Sequence, residues 1–294
     1  MPFLASGRGR LYLPAMIASL GWFEHTLFLI LAVLFPVRAG LFSFRRLRRA
    51  AAEELPRVKL SVYRQALVLQ WLLVAVVAVL WLESRRSWAA LGLVPRLTGG
   101  LAGVIAGLVI VVVVLLRQGL LVPDDDEALD RLRARTRHLE RMLPVTATER
   151  SWFFGLAVTA GVCEEILYRG YVIWYLSAWV FALPALIPLR EFFVQQPFLV
   201  AAAGSSLIFG VGHAYQGLRG VLLTAAVGGF LAAVYWVTRS LFAGMLVHAL
   251  MDLHAGYVTH LAYSRARERA AAEALAERAA EEVALPESGP ALDS

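Results

Sequence analysis

Residues 65–82 read QALVLQWLLVAVVAVLWL, and no charged side chain interrupts this stretch. A helix needs about 20 predominantly apolar residues to cross the hydrocarbon core of a bilayer. Comparable stretches recur along the 294 residues of the chain, of which 59% are apolar and 17% are charged. A soluble domain carries about 25% charged residues. The sequence therefore predicts an all-α, polytopic transmembrane helical bundle and argues against a water-soluble protein.

Eight spans are predicted from the apolar stretches and the breaks between them. They cover residues 11–35, 65–82, 98–116, the two halves of 152–189, 198–214, 220–237 and 241–263. The stretch 152–189 is too long for one helix and contains Pro184 and Pro188, so we divide it near residues 174–177. The membrane domain is expected to cover residues 1–263, and residues 264–294 to form a charged, partly disordered tail.

The distribution of Lys and Arg predicts the orientation, because membrane insertion keeps basic loops in the cytoplasm. The loop after the first span carries eight of these residues and the loop after the third carries seven, against five on the opposite side. Loops 39–64 and 119–150 are therefore predicted to be cytoplasmic, with a surface helix near residues 124–141. Eight spans would place both termini outside.

The expected location is the plasma membrane of a bacterium, where the chain is a multi-pass integral protein. Its net charge of +6 arises from arginines that flank apolar spans. Topology explains these arginines, so the charge predicts contact with the lipid bilayer and no nucleic-acid partner.

Ionisable side chains within the predicted spans of the second half indicate where function lies. They are spread over three helices: Glu164, Glu165, Arg169, His213, His248 and Asp252. A charged group in hydrocarbon costs several kcal/mol by most scales, so those that persist normally pair or act. Two of the pairs, Glu165 with Arg169 and His248 with Asp252, are four residues apart and share a helix face.

These residue types match the chemistry of amide hydrolysis. A buried carboxylate can take a proton from water and return it to a leaving amine, so Glu164 or Glu165 is a candidate general base. We expect Arg169 to pair with Glu165, which leaves Glu164 for catalysis. His213, His248 and Asp252 can share the water, stabilise an oxyanion or bind a metal.

Three motifs occur in order on separate predicted helices: Glu164-Glu165-x-x-x-Arg169, Phe209-x-x-x-His213 and His248-x-x-x-Asp252. This ordered set, within residues 146–257, resembles the CPBP (Abi) family of intramembrane proteases, which are related to the CAAX prenyl endopeptidases. The resemblance implies an endopeptidase with a site inside the bilayer and a membrane-associated protein or peptide as its substrate. It also implies that Glu164 and His213 activate water and that His248 with residue 252 stabilises the oxyanion, supported by Glu165, Arg169 and Phe209.

Zinc is an alternative use of the same residues, because a catalytic zinc site needs about three protein ligands. His213, His248 and Asp252 could supply them. We favour a metal-free site, since the sequence shows little sign of the carboxylates that usually orient zinc-bound histidines. Asp252 stands where asparagine is frequent in the family, and an ionised aspartate cannot donate to an oxyanion. We therefore expect Asp252 to be protonated or to orient His248.

Two further functions are compatible with the same spans. One is a non-enzymatic membrane scaffold or immunity protein of the same fold, which would not need intact Glu164, His213 and His248. The other is a proton-coupled transporter, against which the sequence shows no repeated half with broken helices. Glu24 and His25 are interpreted as polar contacts between helices, and Cys163 as a small buried side chain.

Overall fold

The computed structural model describes residues 20–94, 126–182 and 196–284, together with the single positions 105, 109 and 113. Every regular element in these residues is a helix, which confirms the predicted all-α class. Apart from the three single positions, the third predicted span lies outside the described residues. So do residues 1–19, which include the start of the first predicted span, and the end of the tail from residue 285.

Seven helices organise the described residues. They are α1 Trp22–Arg49, α2 Leu55–Glu83, α3 Asp126–Thr136, α4 at 147–182, α5 Pro197–Gly212, α6 Gly217–Thr238 and α7 Phe242–Ala284. Short 3₁₀ turns at Arg137–Leu139 and Ala214–Gln216 follow α3 and precede α6. The second and seventh predicted spans match α2 and α6, and the predicted surface helix corresponds to α3 with its 3₁₀ turn.

Several of these helices have the length and composition of membrane spans. Among the described residues, α1, α2 and the segment Ala214–Thr238 are long and apolar enough to cross a bilayer. Their outer faces expose large apolar side chains, among them Leu29, Val33, Val68 and Leu72. Such continuous apolar surface is not tolerated in water. The protein is therefore an integral membrane protein, and α4 and α7 are less apolar because they carry the ionisable residues of the motifs.

α1 and α2 run in opposite directions through the bundle. At one end Arg86, just after α2, forms a 2.7 Å ion pair with Glu24 at the start of α1. At the other end Arg141 donates to the backbone oxygens of Arg48 and Ala50, where α1 stops. The buried Lys59 pairs with Glu149 over 3.0 Å at this same end. The two basic segments thus lie together, as predicted, and we call this side of the bundle the basic end.

The start of α4 is determined by a local motif at the basic end. Thr146 accepts a hydrogen bond from the backbone of Glu149, and the Glu149 carboxylate accepts one from the Thr146 backbone. This reciprocal capping box satisfies the first free N–H groups of the helix. Because Lys59 of α2 binds the same carboxylate, the helix that carries Glu164 is anchored to α2 at its first turn.

The predicted division of residues 152–189 near 174–177 is wrong, because α4 continues through this region to Ala182. Pro184 and Pro188, which suggested the division, lie outside the described residues. Contacts with other helices stabilise α4 around residue 174. The Trp174 ring contacts the Trp81 ring edge to face at 4.9 Å, and the Tyr175 hydroxyl lies 2.7 Å from His25 Nδ1. α4 therefore crosses the bundle once.

The second half of α7 lies at the basic end of the bundle. Tyr263 of α7 lies 3.2 Å from the Thr136 hydroxyl, and Arg269 lies 3.4 Å from Asp130. These contacts place the second half of α7 beside α3. Eight spans would have placed it on the opposite side, and the difference follows from α4, because residues 152–182 form one helix where two spans were predicted.

The loop between α1 and α2 is much shorter than predicted. α1 continues past Phe35 to Arg49, and α2 begins at Leu55, so only residues 50–54 of the predicted loop 39–64 lie outside helices. Arginine is a good helix former, and Leu47 in this extension is fully buried. The helices therefore extend beyond the apolar stretches that marked them in the sequence.

We predict that cysteines at Ala51, His138 and Ala276 react alike with a membrane-impermeant thiol reagent, because these exposed positions belong to the basic end. The expected result in intact cells is protection of all three, in a Cys163→Ser background. A cysteine at Ser84, after α2 at the opposite end, is the matched control and should react.

Two outcomes would contradict different parts of this topology. If Ala276→Cys and Ser84→Cys are labelled while Ala51→Cys and His138→Cys are protected, α7 ends on the other side of the membrane. Protection of Ser84Cys with labelling of the other three would reverse the orientation drawn from the basic residues.

Candidate active site

The acidic pair of the first motif lies where α4 changes its hydrogen-bond pattern. The helix is regular over Ala147–Glu164 and becomes π-helical over Glu165–Val172. Such widened turns are frequent at functional sites. Both carboxylates are buried, with 7% of Glu164 and none of Glu165 exposed. The site is therefore built around two acids on the interior of the bundle.

Glu165 connects two of the motifs. Its Oε1 lies 2.9 Å from Arg169 Nη1 on the same helix, as the spacing predicted, and also 2.9 Å from His248 Nδ1 on α7. Because a carboxylate accepts, His248 Nδ1 carries the proton of this hydrogen bond. The contact orients the imidazole so that its other nitrogen, Nε2, points away from Glu165.

Arg169 connects this pair to the second motif. Its guanidinium carbon lies 4.3 Å from the centre of the Phe209 ring on α5. The same ring contacts His248 edge to face at 5.9 Å and His213 at 4.9 Å. A cation over an aromatic face is attracted to it, so Phe209 supports the buried arginine and contacts both histidines.

Glu164 is held from the first half of the chain. Gln70 Nε2 of α2 donates to Glu164 Oε1 over 3.1 Å, and 4% of Gln70 is exposed. The second oxygen, Oε2, lies 3.9 Å from His248 Nε2, which exceeds hydrogen-bond distance. Glu164 thus has one oxygen fixed by an amide and one directed toward the histidine.

His213 follows the last residue of α5 and has a defined ring orientation. Its Nδ1 donates to the backbone oxygen of Phe209 over 2.9 Å. When the ring is neutral, this bond leaves Nε2 as an acceptor. His213 and His248 both contact the Phe209 ring, which links the second motif to the third.

Asp252 lies at the open side of the cluster. Its Oδ2 is 3.7 Å from His248 Nε2, and 42% of its side chain is exposed, against 7% for His248. The expectation that Asp252 orients His248 therefore needs correction, because Glu165 makes the short bond to that ring. Asp252 instead faces the nitrogen that the ring presents to the site.

The fit to zinc is incomplete. Among the described residues, no three His, Cys, Asp or Glu side chains are gathered closely enough to hold a metal ion. Of the candidate ligands, His248 and Asp252 lie near each other, with 3.7 Å between Nε2 and Oδ2, and His213 contacts the Phe209 ring. We therefore derive no step through a metal. The reason given for a metal-free site is nevertheless wrong, since Glu165 is a carboxylate that orients a histidine.

The other polar residues noted in the sequence have structural partners. Glu24 pairs with Arg86, and His25 bonds the hydroxyl of Tyr175. Cys163 is a free, fully buried thiol next to Glu164.

Gln70 is the residue that sequence reasoning missed, because an uncharged amide within an apolar stretch attracts little notice. The available signal was its rarity, since polar side chains in membrane helices usually bond to a neighbouring helix.

Comparison with known proteins bears on the second half of the chain. Residues 146–254 match the family described as type II CAAX prenyl endopeptidase Rce1-like. The matched segment contains all three motifs, and α1 and α2 lie outside it. No curated protein and no solved structure matches the chain. The resemblance inferred from the motifs is therefore confirmed over this segment.

We predict that Glu165→Gln lowers the stability of the protein as well as any activity. The amide would leave the Arg169 guanidinium, only 1% exposed, without its counter-charge. Removing one partner of a buried ion pair typically costs about 3–5 kcal/mol. Thermal unfolding in detergent measures the effect, with Glu127→Gln as the control.

Glu127 forms the same four-residue type of pair with Arg131, but its side chain is 77% exposed. Its loss should cost less than about 1 kcal/mol. Equal unfolding temperatures for the two variants would contradict a stabilising role of the buried pair.

Proposed function

We propose that this protein is an active endopeptidase that uses Glu164 as its general base, since residues 146–254 match the family described as type II CAAX prenyl endopeptidase Rce1-like. The observation that carries the proposal is the arrangement around Glu164. One carboxylate oxygen is bound by Gln70, and the other faces the Nε2 atom of a histidine whose opposite nitrogen is bound by Glu165. The substrate is a peptide or protein in the membrane, as the family implies.

Water activation is assigned to Glu164 and His213. Glu164 Oε2 takes one proton from the water molecule as its oxygen attacks the carbonyl carbon of the scissile bond. His213 Nε2, the acceptor left by the bond from Nδ1 to Phe209, accepts a hydrogen bond from the second proton. Two acceptors orient the water, so that a lone pair is directed at the substrate.

Stabilisation of the oxyanion is assigned to His248. His248 Nδ1 is bonded to Glu165. His248 Nε2 lies 3.9 Å from Glu164 and 3.7 Å from Asp252, which is too far for a hydrogen bond to either, so Nε2 can donate to a substrate. As an imidazolium, His248 donates from Nε2 to the carbonyl oxygen as negative charge develops there. Glu164 then returns its proton to the leaving amine, and the carbon–nitrogen bond breaks. The nearby Asp252 carboxylate balances the imidazolium charge.

A non-enzymatic scaffold and a proton-coupled transporter explain this arrangement less well. A scaffold needs only packing, whereas the 3.9 Å between Glu164 Oε2 and His248 Nε2 is too long for a stabilising hydrogen bond. A transporter needs a proton route across the membrane, and the described ionisable groups of the motifs form a compact cluster. Kinship to prenyl-protein processing does not require that the substrate be prenylated.

We predict that Glu164→Gln abolishes peptide hydrolysis while leaving the unfolding temperature within a few degrees of the wild type. The amide retains the shape of the side chain but cannot accept a proton. Proteome-wide mapping of new peptide termini in membranes, wild type against variant, identifies the substrate. A peptide spanning the mapped bond then gives turnover.

Termini that persist unchanged in the Glu164→Gln strain would refute the assignment of the base. If the wild-type strain shows no new peptide termini relative to the variant, and the purified protein generates none in membranes, the result would support a scaffold. One zinc per chain, lost and regained together with activity, would contradict the metal-free mechanism.

We also predict that Gln70 is a positioning residue for Glu164. Gln70→Leu should lower kcat by about 10- to 100-fold, because the free carboxylate rotates away from the water, with little change in KM. Gln65→Leu is the matched control on the same helix, since Gln65 is exposed and bonds only Ser61 and Arg38 among the described residues.

Steady-state kinetics on the mapped peptide, together with thermal unfolding, check this prediction. Partial recovery of kcat in Gln70→Asn, which keeps the amide, would support positioning. Equal kcat values for Gln70→Leu and Gln65→Leu, or a loss in proportion to lost stability, would contradict it.

A further inference from the structure

A cavity of about 620 Å³ opens at the basic end, between the last turns of α1 and the start of α2. Its lining combines three arginines with a single acid and apolar side chains: Phe42, Arg45, Arg46, Arg49, Ala50, Glu54 and Val58. It lies outside the segment that matches the protease family and involves none of the motif residues. From this cavity we infer a site for a phosphate-bearing anion, namely the headgroup of an anionic phospholipid.

The arginines of this cavity have no carboxylate partner in the part of the chain that the structure describes. Arg45, Arg46 and Arg49 form no ion pair with a described carboxylate, although Arg131 and Arg133 on α3 do. Arg45 and Arg49 are four residues apart, a spacing at which like charges repel on a helix. An external anion would remove this repulsion.

The end of α1 does not need these three side chains for its own stability. Basic residues near a helix C-terminus interact favourably with the helix dipole. Here, however, Arg141 already donates to the backbone oxygens of Arg48 and Ala50, and the buried Leu47 fixes the last turn. The cavity arginines are thus presented by a helix end that is capped by another residue.

The chemistry of the lining selects the ligand. Guanidinium groups bind phosphate through paired hydrogen bonds, and arginine is the preferred residue for this geometry. α1 has the length and composition of a membrane span, so its end lies where headgroups lie. Phe42 beside the cavity is 68% exposed and offers apolar contact to the glycerol and acyl region. A membrane lipid satisfies both parts of the lining.

The full-length protein in neutral detergent provides the test. Its unfolding temperature is measured during titration with phosphatidylglycerol, with phosphatidylcholine and with inorganic phosphate. Phosphatidylglycerol should stabilise the protein at concentrations at which phosphatidylcholine does not. The triple variant Arg45→Gln, Arg46→Gln, Arg49→Gln should bind phosphatidylglycerol on the order of 100-fold more weakly, from the usual contribution of each basic residue near an anionic surface.

The matched control is Arg131→Gln, Arg135→Gln, Arg137→Gln, which removes the same charge from α3 and its 3₁₀ turn but leaves the cavity intact. It should retain wild-type affinity. Glu54→Gln should bind phosphatidylglycerol more tightly than the wild type, because it removes the acid from the lining of the cavity. This variant tests the proposal even if the triple arginine variant folds poorly. Raising the salt concentration should weaken binding by screening.

The proposal would be overturned if the two triple variants lost the same affinity for phosphatidylglycerol. It would also be overturned if the wild type did not prefer phosphatidylglycerol to phosphatidylcholine. An equal effect of inorganic phosphate at the same concentration would show that the cavity binds the free anion and would refute the lipid assignment.

Discussion

The Glu165 carboxylate, shared between Arg169 and His248, is the interaction on which the arrangement of the site depends. It is fully buried, and in a bilayer such a charge persists only with partners. Its 2.9 Å contact with Arg169 lies within α4, and its 2.9 Å contact with His248 joins α4 to α7. Gly161 allows the two helices to approach, because a Cβ there would lie 2.6 Å from the Ala249 backbone nitrogen. The same carboxylate that secures the two helices therefore directs His248 Nε2 toward Glu164.

The proposed base depends on a helix that the family match does not include. Gln70 of α2 holds one oxygen of Glu164, and Lys59, eleven residues earlier on the same helix, binds Glu149 at the start of α4. Two polar contacts between α2 and α4 thus help to determine both the position of α4 and the rotation of the Glu164 carboxylate. A segment limited to residues 146–254 would contain the motifs without this support, which is why α2 is part of the candidate site.

The sequence predicted what depends on local spacing and missed what depends on packing. The Glu165–Arg169 pair and the shared face of His248 and Asp252 follow from helical periodicity. The Glu165–His248 bond joins residues 83 positions apart, and the Gln70–Glu164 bond joins residues 94 apart, so no spacing rule could find them. Similarly, apolar length and prolines suggested a break in α4, whereas Trp174 and Tyr175 pack against other helices and carry it onward.

Exposure increases in order across the cluster, and this gradient indicates the direction from which a substrate would reach it. No part of the Glu165 side chain is exposed, 9% of Glu164 and 7% of His248 are, and 42% of Asp252 is. The Glu165 carboxylate is therefore shielded from solvent. His248 Nε2 and Glu164 Oε2 lie between Glu165 and the exposed side of the cluster, where Asp252 lies. A peptide entering past Asp252 would meet these two atoms first. In the proposed mechanism they are the atoms that hold the oxyanion and take the proton from water, so the burial pattern and the assigned chemistry agree on which side of His248 the reaction takes place.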